Sequence, residues 1–173
     1  SPAAREIAGL RPPLVAKAEV GLAHRAAGGA VLVGLATEEA ALSGIEYLRA
    51  RFGGTVTVAE LVAHDVEYAL GFQRDPRHGG LLMFGLGGGE VGGDVEFRSL
   101  PLSAAQAGSL VGVYASEPGL AARLSAAVLA VQDFAAACPE LVSLDLNPIV
   151  PAGERLWALD AKLHLGPGGG GAG

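Results

Sequence analysis

The sequence predicts an α+β protein of two lobes, with mainly antiparallel sheets flanked by helices. Three observations predict it. Short apolar or alternating runs, bounded by Gly, Pro and Asp, recur at strand length with tight connections. Helical spacing of apolar residues occurs at two places, after the capping residue Thr37 and again from Leu120. The runs group as β-β-α, then β-β-β-β, then α-α-β-β, which suggests one small lobe followed by a larger one.

The first strand is LVAKA, residues 14–18, after the Pro12–Pro13 break. GLAHRAAGG, 21–29, is a loop bounded by glycines, and AVLVGL, 30–35, is a continuous apolar run expected of a strand buried on both faces. Thr37 offers an N-cap, and Glu38 and Glu39 suit the dipole of the first turn. Leu42, Ile45, Leu48 and Phe52 then recur at helical spacing until Gly53–Gly54 stops the helix. TVTVAELV (55–62), VEYALGFQ (66–73) and LLMFGL (81–86) read as a three-stranded antiparallel meander, with RDPRHGG as its second turn. GGGEVGGD is a loop and VEFRSL, 95–100, a further strand.

Ser103 followed by Gln106 matches a capping box and opens a short helix. A longer one runs from about Gly119 to Cys138, with Leu120, Leu124, Val128, Val131 and Phe134 along it, and Pro139 ends it. LDLNPIVPAGERLWALDAKL, 144–163, is a closing β-ribbon. The division expected is residues 1–54 for a partial first lobe, 55–165 for the second, and 166–173 for a flexible Gly-rich tail.

Bulk properties exclude several classes. The chain has 173 residues, enough for one ordinary domain or two small lobes. Half of it is apolar but only 5% aromatic, so the core must come from small and aliphatic side chains. Net charge is −6 and no dense Lys/Arg cluster occurs, which argues against nucleic acid and against an anionic membrane surface. Cys138 stands alone, so neither an intrachain disulfide nor a cysteine metal cage can form. A reducing cytoplasm is the default location. The most apolar helical stretch, Leu124 to Val131, lies between Arg123 and Asp133 and is too short to span a bilayer. The N-terminus shows no basic-then-apolar signal pattern.

The candidate chemistry begins in the ribbon. Alternation puts Asp145 and Asn147 on one face of the first strand, and Asp160 and Lys162 on one face of the second. A turn at AGER, 152–155, pairs Asn147 with Asp160; other registers leave them diagonal neighbours. One amide and two carboxylates, without His or Cys, make a hard-oxygen set that suits Mg²⁺ with water and phosphate completing its shell. The plainer reading is a solvated polar face. Lys17, inside the apolar LVAKA, can hold a phosphate as a point charge or snorkel at a sheet edge. FGLGGG, with Gly85, Gly87 and Gly88, ends a strand in a loop whose N–H groups can approach phosphate oxygens, although it lacks the P-loop spacing. Glu60 and Glu67 flank a connection between strands and can accept ribose hydroxyls, share a metal, or simply be solvated. Arg98 offers a cation for phosphate or an exposed strand arginine. His24 lies in the first loop; His64, His78 and His164 read as surface positions.

In combination these segments resemble the ATP-grasp domain of nucleoside-diphosphate-forming acyl-CoA synthetases, the β part of ADP-forming acetyl-CoA synthetase and its relatives. The resemblance rests on LVAKA, LAHRAAGGAVLVGL, VAELVAHDVEYALGFQRDP, LLMFGLGG, DVEFRSLPL, LDLNPIV and ALDAKL, and covers about residues 12–165. It implies ATP or ADP clamped between two lobes, with Lys17 on the phosphates. Glu60 would lead into the segment that reads adenine, and Glu67 would face the ribose or the metal. Asn147 and Asp160, with Asp145 beside them, would hold Mg²⁺, and the glycines of GLGG and Arg98 would approach the phosphates. His24 would relay a phosphoryl group. The family reaction joins acid, CoA and ATP to acyl-CoA, ADP and phosphate through an acyl phosphate and a phosphohistidine. The resemblance implies a partner domain or subunit carrying the CoA-binding and phosphohistidine functions, in a homo- or hetero-oligomer.

Departures from the family pattern are visible. The chain begins almost at the lysine strand, so the first lobe is expected to be truncated. Ala26 and Ala27 stand where an acidic residue usually follows the histidine, and Gly92 and Gly93 replace bulkier residues. They keep a second reading open: a non-catalytic, degenerate ATP-grasp-like domain with a regulatory or assembly role.

Overall fold

The computed structural model describes residues 7–19, 30–88 and 94–166. They form two compact units, one reaching Ala63 and the other starting at His64.

In the first unit, β1 (Leu14–Ala18) is the centre of a three-stranded antiparallel sheet, flanked by β2 (Val31–Leu35) and β3 (Val56–Glu60). Leu14, Ala16 and Ala18 alternate onto the face covered by α1 (Glu38–Phe52), where Ala41, Ile45 and Leu48 close the core. The small alanines let the helix approach the sheet. Thr37 Oγ1 accepts from Ala40 N at 3.1 Å, a cap worth about 1 kcal/mol. Gly53, at φ 69°, ends the helix with its N–H on the carbonyl of Arg49.

Two expectations fail in this unit. The run 30–35 is not buried on both faces: β2 is an edge strand, with Val31 46% and Val33 64% exposed and only Leu32 and Leu35 packed on the core. An apolar run shows appetite for burial but not which strand takes the centre, and the shorter LVAKA takes it. Nor does β3 open a meander. It pairs with β1, and residues 61–67 form an irregular connection before β4.

The second unit is a six-stranded sheet. Along it run β6 (Val95–Ser99), β5 (Gly79–Leu86), β4 (Tyr68–Asp75), β7 (Leu141–Ala152) and β8 (Arg155–Ala158), and β9 (Ala161–Leu165) also pairs with β7. Helices α2 (Ala104–Gly112) and α3 (Pro118–Ala137) pack on one face through Leu110, Val111, Leu124 and Val128. The sheet answers with Tyr68, Leu70, Phe72, Leu82 and Phe84. The capping box is present with both bonds: Ser103 Oγ accepts from Gln106 N, and Gln106 Oε1 accepts from Ser103 N at 2.8 Å. Glu117 caps α3, accepting from the N–H groups of Gly119 and Leu120. The α3 helix has 20 residues, longer than the apolar stretch read from sequence, and by length and composition alone could cross a membrane. Here its Leu124, Val128, Val131 and Ala135 are buried in the core. Arg74 ties the end of this helix to the sheet, donating to the carbonyls of Leu141 and Ala135 at 2.9 Å each and Cys138 at 3.2 Å. The opposite face of the sheet has no helix among the described residues, and the candidate site lies there.

Candidate functional site

Strand register assembles the site. Gly71 of β4 pairs with Met83 of β5 and Asp145 of β7; Met83 pairs with Phe97, and Asp145 with Lys162 of β9. A second row, two residues along, joins Leu81, Gln73, Ser143 and His164. Paired residues project to the same side, so both rows belong to the helix-free face. They line an open cleft of about 610 Å³ with an apolar floor of Met83, Leu81 and Phe97 and a polar wall of Asp145, Asn147 and Lys162.

At the polar wall the ribbon takes the register read from its turn. Ala152 pairs with Arg155, Gly153 supplies a positive φ of 59°, and the ladder runs back through Ile149 and Ala158. Leu159 N then donates to Pro148 O at 2.9 Å and Asn147 N to Asp160 O at 3.3 Å, so Asn147 and Asp160 stand opposite each other. Lys162 Nζ lies 3.4 Å from Asp160 Oδ2 and 3.9 Å from Asp145 Oδ2, a cation held between two part-exposed carboxylates.

The glycine turn after β5 closes on this cluster. Gly87 N donates to Glu67 O at 2.8 Å, and Gly88 N to Asn147 Oδ1 at 3.3 Å. Both positions demand glycine. A Cβ on Gly87 would lie 2.6 Å from Tyr68 O, and one on Gly88, where φ is +69°, would fall on the Glu67 carboxylate. Glu67 itself pairs with His64, whose Nε2 is 2.8 Å from Glu67 Oε1. Gly85 has a different role: a side chain there would meet Asp94 O and Val95, so it permits β5 and β6 to meet closely.

Arg98 pairs in register with the buried Leu82, which places it on the helix side of the sheet. There its guanidinium forms an ion pair with Glu96, so the structure does not bring it to the Asp145–Asn147 face. Lys17 is exposed on β1, beside Val31 and Thr57 in register, on the face turned from α1. Glu60 ends β3 and accepts from Arg11 N at 2.9 Å, with the Arg11 guanidinium 3.5 Å away. His24, Ala26, Ala27, Gly92, Gly93 and the tail from 167 lie outside the described residues.

Two participants were missed as such. His64 is not a surface histidine: its side chain is only 19% exposed and holds Glu67. Lys162 shares the face of Asp160, as strand alternation implies, and lies between the two carboxylates. His164, read as a surface position, is exposed and also lines the cleft. Spacing of three between His64 and Glu67 in an irregular segment carries no signal of contact, whereas the ribbon register that pairs Asn147 with Asp160 also pairs Asp145 with Lys162.

The oxygens gathered at this wall are hard donors. Asp145 and Asp160 offer carboxylate oxygens, and Asn147 Oδ1 keeps a second lone pair beyond its bond to Gly88. Among the described residues, no three His, Cys, Asp or Glu gather to cage a metal. Lys162 already lies between the two carboxylates, so a divalent cation held here would need further oxygens from phosphate and water, the usual habit of Mg²⁺.

Comparison with known proteins bears directly on this geometry. The family model described as the ATP-grasp domain matches residues 2–165. The chain belongs to the ATP-grasp family. Within that family it is 30% identical over 130 residues, 68% of its length, to acetate–CoA ligase [ADP-forming] I of Archaeoglobus fulgidus. To the β subunit of acetate–CoA ligase [ADP-forming] I of Pyrococcus furiosus it is 32% identical over 111 residues, 57% of its length. It spans only 19% of the first relative and 48% of the second. The ATP-grasp fold also aligns, at a TM-score of 0.79 and 26% identity, with the dinucleotide-forming acetyl-coenzyme A synthetase 1 of Ca. Korarchaeum cryptofilum bound to coenzyme A and Ca-AMPCP. That alignment covers 95% of this chain and 81% of the other. The same archaeal protein bound to coenzyme A and Mg-AMPPCP aligns at 0.77 and 26% identity, covering 94% and 81%.

Proposed function

We propose that this chain is the ATP- and Mg²⁺-binding phosphoryl-transfer part of an ADP-forming acyl-CoA ligase, acting with separate CoA-binding and phosphohistidine parts. The observation that carries the reading is Asn147. Its backbone faces Asp160 and its side-chain oxygen receives the N–H of Gly88, so one residue joins the candidate metal ligands to the glycine turn. Nucleotide and Mg²⁺ complexes of a protein with the same fold support it. In this reading Asp145, Asn147 and Asp160 hold Mg²⁺ under the phosphates, while the turn at Gly87–Gly88 gives its backbone to the nucleotide. Glu67 accepts a ribose hydroxyl, and Lys17 adds a phosphate-binding cation. His24 relays the phosphoryl group. Bound Mg²⁺ would neutralise the charge of the transferring phosphoryl.

Thermal unfolding with and without Mg·ATP tests it. A ligand at about a hundred times its Kd adds ~2.7 kcal/mol to the stability of the unit that binds it. The expected result is a higher Tm with Mg·ATP and a smaller rise with ATP and a chelator. No change at millimolar Mg·ATP would overturn the reading in favour of a non-catalytic ATP-grasp domain.

A further inference from the structure

We infer that His64 is a positioning residue for the nucleotide site, acting by fixing Glu67 against the Gly87–Gly88 turn. The inference rests on the nucleotide reading above and adds a residue that reading does not use.

An ionised carboxylate can only accept, so the 2.8 Å contact requires the imidazole Nε2 to carry the proton and donate to Glu67 Oε1. The pair is partly withdrawn from water, with side chains 19% and 30% exposed, where a charge-assisted bond is stronger than at a free surface. The other carboxylate oxygen, Oε2, is thereby committed to the position that a Cβ of residue 88 would occupy. Meanwhile the backbone of Glu67 receives Gly87 N, and Gly88 N reaches Asn147 Oδ1. The sequence His64, Glu67, Gly87–Gly88, Asn147 is thus a continuous set of contacts ending on a candidate metal ligand.

A Glu side chain has three rotatable bonds, and without a partner its carboxylate would sample several positions near the turn. Such freedom must be lost when the carboxylate meets a ligand hydroxyl, and the loss weakens binding. The imidazole removes it beforehand. His64 lies in the irregular connection 61–67, between the backbone bonds of Leu61 N to Pro13 O and Gly87 N to Glu67 O at its two ends. Side-chain bonds of this kind therefore carry more of the positioning here than they would within a strand.

The test uses the full chain and Mg·ATP as probe, with affinity read by calorimetry. His64→Leu removes the donor while keeping bulk and should raise the Kd roughly tenfold, the scale of one hydrogen bond to a charged group. His64→Gln, whose amide can donate from a similar reach, should recover most of it. Equal affinity in wild type and His64→Leu, or no recovery with His64→Gln, overturns the inference while leaving the nucleotide reading intact. Absence of binding in every form, wild type included, overturns both. Should His64→Leu fail to fold, the imidazole resonances of wild-type His64 decide: they should move when Mg·ATP is added, and unchanged resonances at saturation overturn the inference.

Discussion

Asn147 and Asp160 face each other across two antiparallel strands, the N–H of the first donating to the carbonyl of the second at 3.3 Å. Twelve residues of ribbon separate them in sequence, yet a two-residue turn at Gly153–Glu154 is enough to bring them into register. The site is therefore as stable as the ribbon, and its oxygens are placed by backbone rather than by long side chains.

From that pairing, Asp160→Asn should weaken Mg-dependent nucleotide binding by at least about tenfold, because it removes a charge from a hard-oxygen set that has few to spare. Titration with Mg·ATP, and again with a chelator present, is the measurement. Nucleotide binding without the metal should change little, and an unchanged affinity in both would remove Asp160 from the metal site.

Gly88→Ala should destabilise the second unit. The positive φ alone costs ~1–2 kcal/mol with a side chain present, and the Glu67 carboxylate already holds the space. Gly108 provides the contrast. It is a glycine within α2 with nothing near its missing Cβ, so Gly108→Ala should stabilise by about 0.5–1 kcal/mol. Denaturant unfolding of the two variants should move in opposite directions.

Acid should unfasten the start of α3. The backbone N–H groups of Gly119 and Leu120 hold the Glu117 carboxyl below its ordinary value of 4.5. A carboxyl depressed in the folded state adds stability that is present above its unfolded value and lost as pH falls through its folded one. The Tm advantage of wild type over Glu117→Gln should therefore be full above about pH 4.5 and shrink below it. A difference independent of pH across that window would show that the charge of the cap contributes nothing.

Much of this was legible before any coordinates. Thr37, Ser103 with Gln106, and Gly53 marked helix ends because capping is a local transaction between near neighbours. The Asn147–Asp160 register was legible because a short turn leaves little choice. Long-range choices were not. Val31 and Val33 are as apolar as any central strand, and only the pairing of β1 with β3 shows that β2 is left at the edge. In sequence Arg98 fits a phosphate cation or an exposed strand arginine equally, and only its register partner, the buried Leu82, places it on the helix side. Contact between His64 and Glu67 depends on the path of an irregular segment, which no period describes.

The two-residue turn at Gly153–Glu154 also bears on how this region can diverge. Because alternate residues of a strand face opposite ways, adding or deleting a single residue within the ladder that joins 149–152 to 155–158 would shift Asp160 out of register with Asn147 and turn it to the other side of the ribbon. Point changes along the same stretch leave the parity untouched. Descendants of this sequence are free to drift in the identity of those residues, but a functional lineage should keep their number.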